Sequence, residues 1–512
     1  MNCAIYHCAK KVQEKTPYSP TIKQQWEADL ILSVLQYIKM MNNLVKPAQT
    51  LYIAVDGVAP MAKIKQQRLR RFRSAIQAQE EAQVKAQALG IPANQDPKPR
   101  WDTTAITPGT EFMKALSTGL RAYTKVNKQA VVSPADEPGE GEQKIMDYIR
   151  KTSPKTAVIY GLDADLIVLA LWANATQGTQ LALFREEMEF SGAIKTDALG
   201  TERFLFLQTD HLANALYETY KAPTQTRPDF LRNFVALMNI LGNDFVPHGM
   251  ALKIKDNGVE NLLKITSQMT MPLLEETPSK TYRYNQAALT QLFETLASTE
   301  ESQILRATSK KLTSRIGMTA SKDPVDQAMA RYNDQPVVWA AEKVFATQIQ
   351  LEDREKPTWI LKPEWRQIYD KEALMGADPI KASTVYLDAL AWTLAYYAGE
   401  PIDLHFYYPW YLPPRFETIH EVLKTKTTPM VSPATKRTPL KPLEQLAMVL
   451  PQTSFHLLPK EFQKLPTMYP HAFPTQWPTF SLGRRILWEC EPCIPLIQPT
   501  QITTWIDTMY DS

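Results

Sequence analysis

Short apolar, β-rich runs recur in the first half of the chain at 51–55, 157–160 and 181–184, separated by long stretches of helical character. Strands alternating with helices predict an α/β fold whose parallel sheet is covered by helices on both faces. Ligands bind at the carboxyl edge of such sheets. Asp56 directly follows the first run and Asp163 follows the second by three residues. Pro60 suits a first helical turn, and neither Gly nor Pro interrupts the chain from there to about Leu89, so one long helix is predicted. Residues 255–356 turn polar and weakly helical, which reads as a variable connecting region. After Trp365 aromatic and proline content rises, and 17 of the 38 prolines fall in 401–512. That composition predicts turns and short elements wrapping across the core rather than long helices. The Thr-, Pro- and Lys-rich stretch 425–441 reads as an exposed loop, and no internal repeat is visible.

Composition narrows the class. A chain of 512 residues with 44% hydrophobic content has room for roughly two to four domains. No apolar run approaches the about 18 residues of a spanning helix, and residues 1–12 lack the apolar segment of a signal peptide, so a soluble intracellular protein without membrane partners is expected. Four cysteines are too few for a disulfide framework in a chain this long. Cys490 and Cys493 have CxxC spacing, but no second pair or His-x3-5-His accompanies them, which favours ordinary buried thiols over zinc. The net charge of +3 identifies no partner. Locally, 61–75 carries Lys63, Lys65, Arg68, Arg70, Arg71 and Arg73 with no acid, a concentrated positive field.

Carboxylates stand at four separated places: Asp56 in DGVAP, Glu140 and Glu142 in PGEGE, Asp163 and Asp165 in GLDAD, and Asp244 in GNDF. A single Asp at a strand end is more often a cap or turn former. Two acids spaced by two residues form a paired-oxygen site, however, and several carboxylates in one pocket repel each other unless a cation neutralises them. With oxygen ligands and few histidines, the fitting cation is Mg²⁺ or Mn²⁺. Two such ions activate water and stabilise a departing phosphodiester oxygen. No Walker-type loop is present, which disfavours nucleotide hydrolysis. On the long helix Lys63, Gln67, Arg70 and Arg71 fall at i, i+4, i+7 and i+8 on one face. A solvated basic face is the bland reading of an isolated helix. Its nearness to Asp56 favours a phosphate pocket beside a metal site.

These residues bring a family into view. The segments 53–75, 106–113, 138–150, 160–171, 184–190 and 234–248, followed more weakly by 386–401, 406–415, 442–451 and 483–497, resemble the XRN family of 5′-to-3′ exoribonucleases in order along the chain. The resemblance implies a PIN/FEN-like parallel-sheet nuclease core over 1–254, a variable helical region over 255–356, and a second conserved region over 357–512 packed on the core. It implies that Asp56, Glu140, Glu142, Asp163, Asp165 and Asp244 hold Mg²⁺ or Mn²⁺. Lys63, Gln67, Arg70 and Arg71 would hold the 5′ monophosphate of single-stranded RNA. Tyr6 stands where the family usually has a His, and Phe406 stands near its usual tryptophan, the pair that stacks the leading base; plain aromatic packing is the alternative for Phe406. The activity implied is processive hydrolysis to nucleoside 5′-monophosphates, in the cytoplasm or the nucleus.

Family members carry about thirty further residues before the position of Met1, including a strand ending in an L-D-M-N segment whose Asp ligates metal. Either the start was taken at an internal methionine, which is favoured because the other six acids are intact, or the protein is a variant lacking one ligand and one central strand. The second possibility keeps an impaired RNA 5′-end-binding relative as the alternative function. A structure-specific DNA nuclease is a third.

Overall fold

The computed structural model describes residues 1–92, 100–161, 163–189, 194–197, 200–223, 225–313, 321–335, 337, 342–350, 357–427 and 430–510. Leu162 and Phe190 of the motif segments, positions 428–429 of the 425–441 stretch and parts of the connecting region lie outside them.

The fold is mixed α/β, rich in helix, with small sheets. Helices α1 (Asn2–Lys15) and α2 (Lys23–Val45) precede strand β1 (Leu51–Ala54), and the long α3 (Met61–Leu89) follows it. After α4 (Glu111–Val126) come β2 (Ala130–Ser133), α5 (Gly141–Thr152), β3 (Thr156–Tyr160), α6 (Ala164–Gln177), β4 (Gln180–Glu186), β5 (Phe204–Gln208), α7 (Thr209–Tyr220) and α8 (Arg227–Leu241). β1 pairs in parallel with β2 from Leu51 opposite Ala130 to Ala54 opposite Ser133. β3 pairs in parallel with β4, and β5 closes that sheet antiparallel. The expected parallel pairing is therefore present, but among the described residues it is divided between a two-stranded and a three-stranded sheet.

Helix α3 matches its sequence signal closely. Pro60 is the N-cap residue with extended backbone, and Gly90 ends the helix in the left-handed region at φ 66°, where a glycine bears no Cβ penalty. The polar connecting region contributes several elements to the core, among them the helix Gly258–Ser267 with Leu262 and Leu263. The helix Gln286–Leu312 buries Leu289, Leu292 and Phe293 completely against the cluster formed by α6, α8 and the helix Pro379–Ala398. That last helix corrects the expectation of short elements after Trp365. It runs 20 residues because its one proline, Pro379, sits at its start, where a missing N–H costs nothing. Beyond Pro401 the longest helices are the 12-residue Pro499–Tyr510 and the 10-residue Phe416–Thr425. The C-terminal segment wraps α3 from two sides. Met61 and Ile64 pack with Leu446–Leu450 and the helix near Ile502 and Ile506, whereas Leu69 and Phe72 pack with Leu412, Phe480 and Ile494.

Candidate active site

The six acids stand at the starts of helices or in the loops that follow strands and helices. Asp56 lies just beyond β1; Glu140 is the N-cap residue of α5 and Glu142 lies in its first turn; Asp163 is the N-cap residue of α6 and Asp165 lies in its first turn. Carboxylates at these positions complement the positive ends of the helices. Asp244 follows α8 in a turn shaped by Asn243, whose Oδ1 accepts from the backbone N–H groups of Phe245 (2.9 Å) and Val246 (3.0 Å).

Two glycines let the segments meet. A Cβ on Gly57 would stand 1.7 Å from the carbonyl oxygen of Glu137, so only glycine allows the Asp56 loop to cross the 134–139 loop. There the N–H of Gly57 donates to the carbonyl of Gly139 at 2.9 Å. Gly141 N–H donates to Asp56 Oδ1 at 2.7 Å, and a Cβ at Gly141 would come within 3.0 Å of that same oxygen. Lys144, buried beneath, donates to the carbonyls of Val55 (2.9 Å) and Pro134 (2.8 Å) and ties the two loops together.

Lys63 enters this group from α3. Its Nζ lies 2.8 Å from Glu140 Oε2 and 2.8 Å from Asp244 Oδ2. Burial opposes its charge, but Glu140, Asp244 and Glu142 more than offset that cost and raise its pKa above the ordinary lysine value. One ammonium does not neutralise the group. Burial, then the charge of Glu140, and further those of Asp165 and Asp56, hold the Glu142 carboxyl well above the usual range despite Lys63. Asp165 is pushed up to about 6 by burial and by Asp244. Asp163 and Asp56 both bear on Cys3, whose thiol is raised chiefly by burial. The arrangement therefore lacks positive charge. Among the described residues no three His, Cys, Asp or Glu side chains stand together as a ready metal cage. What fits a hard divalent cation is the all-oxygen donor set and the unrelieved repulsion.

The remaining predicted residues separate into neighbours and outliers. Arg71 donates from Nη2 to Thr107 Oγ1 at 2.6 Å, while its buried Nη1 has no hydrogen-bond partner among the described residues. Burial lowers its pKa to about 10; Tyr6 and Arg70 are both close enough to act on its charge, in opposite senses. Arg70 is exposed on the rim of a cavity of about 180 Å³ that Gln66, Arg73, Asp244 and Trp410 also line. Gln67 Oε1 accepts from Gln445 Nε2 at 3.3 Å. Lys63, the first member of the expected phosphate group, is engaged with the acids. Tyr6 is 45% exposed on α1. Phe406, half-buried, packs 6.1 Å from Trp392 between ring centroids, and no ring contact joins it to Tyr6 among the described residues.

The structure also shows what charge alone concealed. Arg68 does not add to an open positive field, and Lys65 and Arg73, which line the cavity, commit donors to the backbone. Lys65 Nζ donates to the carbonyls of Tyr408 (2.6 Å) and Trp410 (3.3 Å). The buried Arg68 guanidinium donates to those of Pro495 (3.1 Å), Met448 (2.5 Å) and Ala472. Arg73 donates to that of Cys490 at 3.1 Å. Sequence reading also missed two tyrosines of the helix Pro379–Ala398: Tyr396 Oη donates to Glu140 Oε1 at 2.6 Å and Tyr397 Oη to Asp165 Oδ1 at 3.2 Å. Their only trace in the sequence was membership of the 386–401 segment. Cys490 and Cys493 are free thiols, which burial pushes up to about 12 and about 11.

Two family models match this chain. Residues 1–187 match the XRN 5′-3′ exonuclease N-terminus, and residues 365–512 match the Xrn1 helical domain. The chain belongs to the XRN family. Human 5′-3′ exoribonuclease 1 is 26% identical over 99% of this chain and 32% of its own length. The Caenorhabditis elegans 5′-3′ exoribonuclease 2 homolog is 25% identical over 100% of this chain and 65% of its own. Schizosaccharomyces pombe 5′-3′ exoribonuclease 2 is 34% identical over 52% of this chain and 30% of its own. This chain thus spans about a third to two thirds of the length of these XRN relatives. Among its described residues no helix is long and apolar enough to cross a membrane.

Proposed function

We propose that this chain is a metal-dependent 5′-to-3′ exoribonuclease that releases nucleoside 5′-monophosphates from single-stranded RNA bearing a 5′ monophosphate. The observation that carries the reading is one helix, α3, that sets Lys63 among under-neutralised carboxylates and, about two turns further on, carries Arg71 with a buried N–H that has no partner among the described residues. A guanidinium N–H with no acceptor favours an anion, and phosphate meets its geometry. Relatives named as 5′-3′ exoribonucleases support the direction of cleavage. In this reading the parallel pairs β1–β2 and β3–β4, with acids beyond their carboxyl ends, are the two parts of a PIN-like core.

Asp56, Glu140, Glu142, Asp163, Asp165 and Asp244 would hold Mg²⁺ or Mn²⁺. When bound, two such ions supply an activated water and charge stabilisation for the departing oxygen. Arg71, with Arg70 and Gln67, receives the terminal phosphate and so sets the register at one nucleotide from the 5′ end. Tyr6 offers an exposed ring to the leading base, which suits sequence-tolerant stacking. Lys63 holds Glu140 and Asp244 in place. A capped or triphosphorylated end exceeds what one guanidinium cluster accommodates.

The test is incubation of the purified protein with 5′-monophosphate, 5′-triphosphate and 5′-hydroxyl RNA and matching DNA, in Mg²⁺ or EDTA. Metal-dependent mononucleotide release from the monophosphate RNA alone is expected. Tight end-binding without release assigns instead an RNA-end-binding role, and equal cleavage of DNA overturns the RNA assignment.

A further inference from the structure

We propose that Tyr396 and Tyr397 are positioning residues for the metal-holding carboxylates, so that the helix Pro379–Ala398 completes a site whose acids all come from the first half of the chain. The inference rests on the acids holding a metal ion. Consecutive residues of an α-helix point about 100° apart, yet these two phenols reach carboxylates on different segments. Tyr396 meets Glu140 at the start of α5, and Tyr397 meets Asp165 in the first turn of α6.

Their rings leave the hydroxyls little freedom. Tyr396 stacks on Trp392 at 5.2 Å and 20°, and Phe245, the neighbour of Asp244, stands edge-on at 5.4 Å. Tyr397 also contacts the Phe245 ring, at 6.3 Å. Both side chains are buried. A phenol ordinarily carries its proton at neutral pH. Each tyrosine therefore offers one neutral donor. It occupies one lone pair of its carboxylate and fixes the direction of the group, and it leaves the negative charge intact for a cation. Lys63 differs, because it neutralises the acids it touches. Glu140 receives both kinds of contact, Lys63 on Oε2 and Tyr396 on Oε1. Carboxylates that repel each other splay apart unless held, and groups that orient metal ligands typically account for about 10–100-fold in metal affinity.

The experiment uses the full chain with Tyr396→Phe, Tyr397→Phe and Tyr386→Phe, all of which keep the ring. Tyr386 is the internal control: it lies on the same helix, fully buried, and its hydroxyl has no hydrogen-bond partner among the described residues. Mn²⁺ binding is measured without RNA from the loss of the free-ion electron paramagnetic resonance signal, and RNA turnover is followed separately. Tyr396→Phe and Tyr397→Phe are expected to raise the half-saturating Mn²⁺ concentration about 10-fold or more and to lower kcat, with KM for 5′-monophosphate RNA unmoved. Tyr386→Phe is expected to match the parent protein. If the parent binds Mn²⁺ and both variants bind it equally well, the positioning role is overturned. It is overturned too if Tyr386→Phe weakens binding as much, since the effect then belongs to helix packing. A parent protein that binds no Mn²⁺ overturns the metal reading beneath it. If one variant fails to fold, the other decides.

Discussion

Helix α3 presents two sets of cations that look alike in the sequence and do opposite work in the fold. Lys65, Arg68 and Arg73 turn their donors onto backbone carbonyls of residues 408–495 and tie the C-terminal segment to the helix. Lys63 turns toward the carboxylates and Arg71 toward Thr107, while Arg70 stands exposed at a cavity that Lys65 and Arg73 also line. In the first set the buried Arg68 commits its guanidinium to three carbonyls, and Lys65 and Arg73 are each anchored to the backbone at the cavity edge. In the second, Arg71 keeps an unpartnered N–H and Lys63 sits among acids it does not balance. A cation whose donors are spent on carbonyls supports structure, and one with a donor left over has capacity for a ligand.

Substitutions sharpen this contrast. Asp165→Ala should have the largest effect, reducing mononucleotide release by more than about 100-fold, since losing a ligand exceeds losing a group that merely orients one. Binding of the RNA end in a filter or anisotropy assay should be retained. On the structural face, Arg68→Ala strips three carbonyls of their donor. At about 1 kcal/mol or more for each buried group left unsatisfied, it should cost about 3 kcal/mol or more in denaturant unfolding. Arg70→Ala, on an exposed side chain, should leave stability nearly unchanged; an equal loss from both would erase the distinction between the faces.

A smaller effect follows from pH. Asp165 titrates in the folded protein at about 6, above its ordinary 3.8, because of burial and Asp244. Between those values the folded state binds more protons than the unfolded state, so stability falls as pH rises from about 4 to about 6 and then levels off. Glu142, raised by burial and Glu140, acts in the same sense. Metal-free protein should therefore melt at lower temperature at pH 7 than at pH 5 once other carboxylates are accounted for through Asp165→Asn, which should flatten the difference. Added Mg²⁺ should flatten it too.

Much of this was legible in the sequence, for reasons that are local. Pro60, an uninterrupted helical stretch and Gly90 define α3, and the spacing of Glu140 with Glu142 and of Asp163 with Asp165 marks the paired acids at two helix starts. Other features depend on partners far away in the chain. Nothing about Arg68 in isolation says that its acceptors lie at Met448, Ala472 and Pro495, and nothing in YYAG says that the two phenols meet Glu140 and Asp165. The split of the strands into two sheets was likewise invisible, because a strand run shows its own burial pattern and not its neighbour.

Arg71 is assigned to read the 5′ phosphate beside the acids, and one ratio tests that role most directly: the rate of mononucleotide release from 5′-monophosphate RNA over that from 5′-hydroxyl RNA, for the parent protein and for Arg71→Ala. The ratio should be large in the parent and should fall by about 10-fold or more in the variant, as expected for loss of a charge-assisted hydrogen bond worth about 1.5–3 kcal/mol. A variant that keeps the parent's preference would contradict the assignment of the phosphate site to this face of α3.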